Sequence, residues 1–118
     1  MLTEIHPKLP MRNKSISRDF YVKRLGFKEL GDYDGYLMVR RDAIEIHFFE
    51  FKELNPLENY GMIYIRTDDI NGLYNVMLKN GIDIHPNAPL ERKPWGQIEF
   101  SILDPDNNLI TFGQSVND

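Results

Sequence analysis

The sequence predicts an α+β fold made of two βαβββ modules with curved, mixed or antiparallel sheets. The order strand, helix and three strands can be read twice, and each predicted helix stops at a glycine, Gly26 or Gly81. With 118 residues and 42% hydrophobic content, the chain suffices for one ordinary core and is too short for two domains of usual size. We therefore expect a single domain over residues 1–118, with modules at about 1–52 and 60–118. The halves share little identity, so the duplication is predicted from element order.

The first module begins with a predicted edge strand over residues 3–11, where two prolines remove backbone donors. Its apolar side is expected to carry Ile5, Leu9 and Met11. A helix from about Ser15 to Leu25 follows, with Asn13 or Ser15 as its N-cap and Gly26 as its end. The predicted apolar stripe of this helix contains Ile16, Phe20, Tyr21 and Leu25.

Three short strands complete the first module as a meander. They are predicted at Phe27–Gly31, Tyr36–Arg41 and Ala43–Phe51, separated by turn-prone residues. Their core side is expected to carry Leu37, Val39, Ile44, Ile46 and Phe48.

The second module repeats this order after a connection at Lys52–Tyr60, which has no hydrophobic period. A strand at Met62–Arg66 leads to a helix capped by Asp68 or Asp69. The apolar stripe of the helix is predicted to contain Ile70, Leu73, Tyr74, Met77 and Leu78. A strand at Ile82–His85 and a loop at Pro86–Pro94 are expected next.

The chain closes with a predicted antiparallel hairpin between Pro94 and Gln114, around a Pro/Asp/Asn turn. Its core side contains Ile98, Phe100, Ile102, Ile110 and Phe112. Because side chains alternate along a strand, Gln97, Glu99, Ser101 and Thr111 are expected to share the opposite face. This face is the first candidate for chemistry.

Composition narrows the classes of partner. The net charge of -4 argues against nucleic acid, since phosphate binding depends on a basic surface. A cationic or neutral small molecule fits better. The absence of cysteine excludes disulfides, thiolate metal sites and a cysteine nucleophile. The N-terminal segment has no apolar signal core and no run is long enough to span a membrane, so we expect a cytoplasmic protein with no membrane partner.

The predicted non-core strand faces combine polar, aromatic and sulfur-containing side chains. They contain His6, Lys8, Tyr36, Met38, Arg40, Glu45, His47, Phe49, Met62, Tyr64, Arg66, Gln97, Glu99, Ser101 and Thr111. Such a mixture is typical of a ligand groove, and it also suits a subunit interface. The chain has 7 Phe, 6 Tyr and 1 Trp, more rings than two small sheets need, which favours a planar ligand. Trp95 is either a stacking partner or a loop anchor over the core.

Candidate metal ligands are few. His6, Glu45 and His47 are the nitrogen and carboxylate groups that the topology brings near each other, and a metal site would need at least one more. A histidine such as His47, between two apolar strand residues, is also typical of a hydrogen-bonded structural side chain. No phosphate loop, Ser/His/Asp order or paired-carboxylate spacing occurs, so no covalent mechanism is indicated.

Several motifs resemble the bleomycin resistance proteins of the glyoxalase, or vicinal-oxygen-chelate, superfamily. Phe-Tyr-x-x-x-Leu-Gly-Phe at 20–27 and the Asp-Pro-Asp turn at 104–106 resemble the superfamily at large. Pro-x-Leu-Pro-x-Arg at 7–12, and Phe48-Phe49 followed by Leu-Asn-Pro-Leu at 54–57, are similar to the resistance proteins in particular. The resemblance covers essentially the whole chain. It implies two βαβββ modules per chain and homodimers with grooves at the subunit boundary.

The resemblance also bears on metal chemistry. Metal-dependent relatives hold their ion at four positions, which fall here on His6, Glu45, Met62 and Thr111. A thioether and a hydroxyl do not replace histidine and glutamate around a catalytic divalent ion, so neither a metal nor a cofactor is expected. The resistance proteins sequester their drug without altering it.

The resemblance, supported by the charge and the number of aromatic rings, therefore implies a non-enzymatic homodimer that confers antibiotic resistance by sequestering a bleomycin-type glycopeptide or another planar cationic compound. Binding is expected to involve Tyr36, Met38, His47, Phe49, Tyr60, Tyr64, Trp95 and Glu99. Two alternatives stay open. One is a metal-dependent lyase, isomerase or other small-molecule enzyme of the same superfamily that uses His6 and Glu45. The other is a metabolite-binding module that recruits a partner protein.

Overall fold

A computed structural model describes residues 1–116, and its first half forms a four-stranded sheet. The strands are β1 (Lys8–Met11), β2 (Lys28–Glu29), β3 (Tyr36–Arg41) and β4 (Ile44–Glu50). Helix α1 (Lys14–Arg18) continues as a π-helical turn (Asp19–Arg24) between β1 and β2. The spatial order is β1-β4-β3-β2, with β1 parallel to β4 and the other pairs antiparallel.

The second half repeats this topology. Its strands are β5 (Met62–Arg66), β6 (Glu91–Lys93), β7 (Gln97–Leu103) and β8 (Leu109–Ser115), in the order β5-β8-β7-β6. Helix α2 (Ile70–Lys79) follows β5, and a short 3₁₀ helix (Pro56–Glu58) lies in the connection. Again the first strand of the module, β5, lies at the sheet edge and runs parallel to its neighbour β8. Two mixed four-stranded sheets with the same connectivity confirm the predicted α+β class and its duplicated order.

The core lies on the helix-covered side of both sheets. Its buried strand residues are Leu9, Met11, Leu37, Val39, Ile46, Phe48, Phe100, Ile102, Ile110 and Phe112. These side chains occupy alternate positions, as the period of two predicts. Residues 117 and 118 of the predicted second module lie outside the described range, and its boundary with the first stays a prediction. No helix within residues 1–116 has the length and apolar character that crossing a membrane requires.

The first strand is shorter than predicted. It begins at Lys8, where pairing with His47 starts, and the predicted strand residues 3–7 form no regular structure. Leu9 and Met11 are buried as expected, whereas Ile5 is 93% exposed. Residues 3–7 therefore alternate in hydrophobicity without forming a strand, because no partner strand buries their apolar side chain.

The first helix also differs from its prediction. Asn13 is the N-cap, and the bond from the Leu25 amide to the Phe20 carbonyl spans five residues, as in a π-helix. Within this wider turn, Phe20 and Tyr21 are both buried although they are adjacent. Ile16 is exposed, so its predicted place in the apolar stripe is wrong.

The second module contains the largest correction. Ile82–His85, predicted as a strand, makes only an isolated bridge from Ile84 to Ile102, and the second strand of this module is Glu91–Lys93 instead. The charged strand lies at the sheet edge, where polar side chains discourage pairing with other chains. Asp69 caps α2 as expected, but Leu78 is exposed and outside its apolar stripe.

A buried polar turn joins the two halves. Asp104, 4% exposed, accepts hydrogen bonds from the Tyr21 hydroxyl at 2.7 Å and the Asn108 side-chain amide at 2.8 Å. Two residues on, Asp106 accepts from Arg12 Nε at 2.7 Å. Because Arg12 and Tyr21 belong to the first module, this β7–β8 turn fixes one module against the other.

Candidate functional site

Four of the predicted binding residues lie together on the first sheet. The β3–β4 pairing places Tyr36 opposite Phe49 and Met38 opposite His47, all on the side away from the core. We call the non-core side chains of β3 and β4 the first open face: Tyr36, Met38, Arg40, Glu45, His47 and Phe49. The cross-strand register therefore brings together what sequence parity predicted.

A hydrogen-bond chain crosses this face. The Tyr36 hydroxyl lies 2.8 Å from His47 Nδ1, and His47 Nε2 lies 2.6 Å from Glu45 Oε2. If the neutral imidazole carries its proton on Nε2, Tyr36 donates to His47 and His47 donates to Glu45. This arrangement orients the imidazole, and both of its ring nitrogens are engaged in these two hydrogen bonds.

The carboxylate of Glu45 is surrounded by basic groups. Arg40 Nη2 lies 3.3 Å from Glu45 Oε1, and His6 Nε2 lies 3.7 Å from its Oε2. The His6 ring also stacks on that of His47, with centroids 5.2 Å apart. The hydrogen bond from His47, and then the nearby basic groups, lower the pKa of Glu45 against the opposing effect of desolvation. On the first open face, Arg40 therefore gives this carboxylate a positively charged partner.

Three other predicted residues meet on the second sheet. The Tyr64 hydroxyl donates to Glu99 Oε2 at 2.7 Å, and the Trp95 indole Nε1–H donates to the same oxygen at 3.0 Å. Glu99 is only 8% exposed, whereas Trp95, in the loop before β7, is 64% exposed. We call this group, with the non-core residues Gln97, Ser101 and Thr111, the second open face.

Glycine at position 113 makes this contact possible. Tyr64 is on β5 and Glu99 on β7, with β8 between them, so the tyrosine ring must cross β8. A Cβ atom at Gly113, which pairs with Glu99, would lie 1.9 Å from the Tyr64 hydroxyl. Gly113 was not among the predicted site residues, although a glycine inside an alternating strand is a recognised sign of a close approach.

The second open face alters the acidity of its tyrosine. Desolvation, the hydrogen bond to Glu99 and the negative charge of that carboxylate together raise the pKa of Tyr64 to about 12. The phenol consequently stays protonated at neutral pH and acts as a hydrogen-bond donor. It is not a base in this environment.

The remaining prediction, Tyr60, is not brought to either group. It follows the 3₁₀ helix and is 83% exposed. A cavity of about 990 Å³ also lies elsewhere, between the β3–β4 turn and α2. Its apolar lining includes Phe27, Ile65, Leu73, Met77 and Phe112, and it contains none of the eight predicted binding residues.

The four positions at which metal-dependent relatives hold their ion have donors that do not fit a divalent metal. His6, just before β1, approaches Glu45 on β4, but Met62 and Thr111 lie on the second sheet. Thr111 already exchanges a hydrogen bond with Ser101 at 2.8 Å. Within residues 1–116, no group of three or more histidine, aspartate or glutamate side chains is arranged to hold a metal ion.

Known proteins are similar to this chain in both sequence and fold. A bleomycin resistance protein of Geobacillus stearothermophilus is 29% identical over 126 residues, covering 93% of this chain and 95% of the relative. One of Klebsiella pneumoniae is 29% identical over 123 residues, covering 98% and 94%. The crystal structure of a bleomycin resistance determinant encoded on transposon Tn5 superposes with a TM-score of 0.87, at 26% identity and with 97% and 98% of the chains covered.

A second structure, of a bleomycin-binding protein complexed with bleomycin, gives a TM-score of 0.83 at 26% identity, covering 99% of this chain and all of that one. Residues 6–112 match the profile of the Glyoxalase/Bleomycin resistance protein/Dioxygenase superfamily. The match spans both sheets described above, from before β1 into β8. The chain therefore belongs to the Glyoxalase/Bleomycin resistance protein/Dioxygenase superfamily.

Proposed function

We propose that this chain is a cytoplasmic antibiotic-binding protein that sequesters a bleomycin-type cationic glycopeptide without altering it chemically. It acts as a homodimer, in which the first open face of one subunit and the second open face of its partner enclose each groove. The ligand contacts are those predicted, Tyr36, Met38, His47, Phe49, Tyr60, Tyr64, Trp95 and Glu99. The two modules, at about 1–52 and 60–118, supply one wall each.

The observation that carries this proposal is the pair of open faces, each lined with aromatic or sulfur-containing side chains. Phe49, Met62, Tyr64 and Trp95 are all more than a third exposed, on sheets whose opposite sides form the core. Exposed apolar groups concentrated in this way mark binding surfaces. A second copy of the chain supplies the missing wall and converts two flat faces into two closed grooves.

The relatives support the choice of ligand. Two similar structures come from proteins named for bleomycin resistance or binding, one of them holding the drug. Bleomycin has a planar bithiazole and a positively charged tail, and this chain offers exposed rings and a net charge of -4. Stacking and charge attraction both favour such a molecule.

The direct test is calorimetric titration of the pure protein with metal-free bleomycin, with Trp95 fluorescence recorded in parallel. We expect binding well below ~10 µM, an affinity that a half-enclosed drug-sized ligand readily reaches. No heat and no fluorescence change at tens of micromolar would sink the proposal. Mass analysis of the recovered drug should show it unchanged, whereas a modified product would favour an enzyme.

Two variants give this titration a matched control. Trp95→Ala removes an exposed ring from the second open face, and we expect it to weaken binding by about 10-fold, from loss of stacking and burial. Tyr33→Ala removes a similarly exposed ring from the turn before β3, outside both faces. It should leave the affinity unchanged, and equal losses in both variants would count against a groove at Trp95.

Subunit mixing tests how the groove is assembled. One chain carries Tyr36→Ala and His47→Ala on its first open face, and the other carries Tyr64→Ala and Trp95→Ala on its second. Neither homodimer should bind the drug. After subunit exchange, each heterodimer regains one intact groove, so binding to about half of the heterodimer grooves is expected. Continued absence of binding in verified heterodimers would place both walls within one subunit.

The metal-dependent alternative has its own discriminator. It requires His6 and Glu45 as ligands, with the pair already 3.7 Å apart. Stoichiometric zinc, nickel, manganese or iron in the purified protein, lost on His6→Ala or Glu45→Ala, would favour that reading. We expect no stoichiometric metal, because Met62 and Thr111 are poor donors for these ions.

A further inference from the structure

The two modules fill the space beside their helices differently. The β7–β8 turn, residues 104–108, packs against the first helical segment, where the Tyr21 hydroxyl donates to Asp104 at 2.7 Å. The β3–β4 turn contains only Asp42 and Ala43. Between this short turn and α2 lies the cavity of about 990 Å³, which we call the inter-module cavity. It therefore takes the place that the long turn fills in the other half.

The N-caps of the two helices identify equivalent positions at the entrance to this space. Asn13 caps the first helix and Asp69 the second. The residue before the cap is Arg12 in the first module and Asp68 in the second. Arg12 Nε donates to Asp106 of the long turn at 2.7 Å, whereas Asp68 lines the inter-module cavity. A cation thus meets the acidic turn, and a carboxylate stands at the matching position beside the cavity.

Further along the helices, polar groups in the first module correspond to apolar groups in the second. Ser17 and Leu73 each donate their amide to the N-cap carbonyl, and Tyr21 and Met77 each accept, at 2.9 Å, the backbone bond that closes their helix. The Ser17 hydroxyl donates to Asp106 at 3.4 Å and the Tyr21 hydroxyl also bonds the long turn. Leu73 and Met77 line the cavity instead. The inter-module cavity therefore suits an apolar occupant.

The size of the cavity fits a small molecule. Phe27, Ile65 and Phe112 extend its apolar lining beyond the helix. Its volume of about 990 Å³ is far larger than the voids left in a close-packed core and comparable to ligand pockets. A two-ring aromatic or a branched aliphatic body can enter it.

The polar rim of the cavity is negative overall. It consists of three aspartates and two arginines, namely Asp42, Asp68, Asp69, Arg41 and Arg66. Arg41 donates to the Leu25 carbonyl at 2.8 Å. Arg66 donates to the Ser115 hydroxyl at 2.9 Å. A positive group complements such a rim, as the acidic turn complements Arg12 in the other module.

We propose that the inter-module cavity binds a small amphiphilic cation, an aromatic or branched aliphatic body that carries an ammonium group. The body packs against Leu73, Met77 and Phe112, and the ammonium group pairs with Asp68. This second site goes beyond the proposed function, because its described lining includes none of the eight predicted drug-binding residues. The chain would then hold one ligand between its modules and another on its open faces.

Methionine methyl groups locate the ligand in the whole protein. Met77 lines the cavity, whereas Met38 and Met62 lie on the first and second sheets, on the sides away from the core. The probe is naphthylmethylammonium, followed by NMR of isotope-labelled methionine. We expect the Met77 resonance to shift saturably, with a Kd on the order of 100 µM. The same shift should persist with excess metal-free bleomycin, while Met38 and Met62 report separately on any probe in the drug grooves.

A neutral isostere tests the role of charge. Naphthylmethanol has the same ring system with a hydroxyl in place of the ammonium group. Asp68→Asn should weaken the ammonium probe about 5-fold and the alcohol less than about 2-fold, as expected for a partly exposed ion pair. Asp34→Asn, which removes an exposed charge from the turn before β3, should leave both probes within about 2-fold of wild type.

A filling substitution tests the cavity itself. Ala43→Trp adds a large ring at the short turn and should weaken both probes more than about 10-fold. Asn75→Trp is the matched control, since it adds the same ring to an exposed position of α2 outside the cavity lining. Its affinities should stay within about 2-fold of wild type, and circular dichroism checks the fold of both variants.

Each outcome is decisive for one part of the proposal. A Met77 resonance that does not move in wild type, or equal titrations of Ala43→Trp and wild type, would overturn the site. Equal losses of the ammonium and alcohol probes in Asp68→Asn would overturn the choice of a cation. If bleomycin does not bind, the proposed function fails, and the Met77 titration still decides whether the cavity holds a ligand.

Discussion

The two modules share one topology, yet their open faces treat a central carboxylate in opposite ways. On the first face, Glu45 lies within 4 Å of Arg40, His47 and His6. On the second, Glu99 is held by two neutral donors. The core sides of the two modules are alike, because alternate apolar residues fill the interior of both sheets, and the open sides differ. Strand order therefore determines the fold, while the polar neighbours of one side chain determine what each face can bind.

The modules also differ at the turn that joins their two central strands. The β3–β4 turn contains Asp42, whose side chain is 92% exposed. The β7–β8 turn contains Asp104, which is buried against Tyr21 of the first module. One turn therefore closes a hairpin, and the other closes a hairpin and fixes the modules to each other.

The largest effect should come from breaking this second turn. Asp104→Ala removes the acceptor for the Tyr21 hydroxyl, the Asn108 amide and the backbone N–H groups of Asp106 and Asn108. Because several buried donors then lack partners, we expect the free energy of unfolding to fall by about 3–5 kcal/mol. Urea denaturation monitored by circular dichroism measures the change.

Asp42→Ala is the matched control for the first turn. Asp42 has a positive φ of 53°, so alanine introduces modest backbone strain at an otherwise solvent-exposed position. A loss of about 1 kcal/mol is expected. Comparable losses from Asp42→Ala and Asp104→Ala would mean that the buried turn has no special role in joining the modules.

The next effect concerns the strand crossing that only the second face contains. Gly113→Ala places a methyl group where the Tyr64 hydroxyl lies, so the ring must move away from Glu99. Overpacking of this kind costs about 1–3 kcal/mol of unfolding free energy. The same denaturation experiment should show that Gly113→Ala costs much less when Tyr64→Ala is already present. Simple additivity of the two losses would contradict the crossing.

Sequence patterns predicted those parts of this comparison that depend on local alternation. The β7–β8 hairpin and the faces of Tyr64 and Glu99 follow from the period of two along single strands. The edge strand at Glu91–Lys93 has no apolar side and pairs with β7. Its local sequence therefore contains no hydrophobic pattern that would predict a strand. The strand predicted at Ile82–His85 had the alternation of a strand, but it pairs with β7 only at the bridge from Ile84 to Ile102.

The candidate site could be predicted from the sequence to a similar degree as the fold. Parity identified the groups on each face, but Gly113 acquires its role only when the register of β5, β8 and β7 is known. Tyr60 marks the limit of parity as a guide. It lies exposed in the connection, where a loop residue has no strand register to direct its side chain, so its place in the site stays a prediction.

The effect of Glu99 on the pKa of Tyr64 at the second open face can be tested by spectroscopy. Glu99→Gln removes the charge that helps to raise the pKa of Tyr64 to about 12. The pKa should fall toward the ordinary value near ~10 but stay above it, because desolvation remains. Ultraviolet titration of the phenol, with the curve of Tyr64→Phe subtracted, isolates this residue. An unchanged pKa would show that Glu99 is neutral or distant in solution.

The smallest effect is expected at the first face and depends on pH. The pKa of Glu45 is lowered in the folded protein, chiefly by its hydrogen bond with His47. The ionised carboxylate is therefore more stable in the native state than in the unfolded state. The stabilisation is therefore fully present above the unfolded pKa of about 4.3 and disappears as the pH falls through the lower, folded value. Wild type should be more stable than Glu45→Gln at pH 7, and the two should converge in strong acid.

Urea denaturation at pH 7 and at low pH measures both differences, with Glu91→Gln as the exposed reference on the other sheet. A difference between wild type and Glu45→Gln that persists unchanged in acid would mean that the basic groups around Glu45 do not stabilise its charge, and the contrast between the two faces would then lie in packing alone.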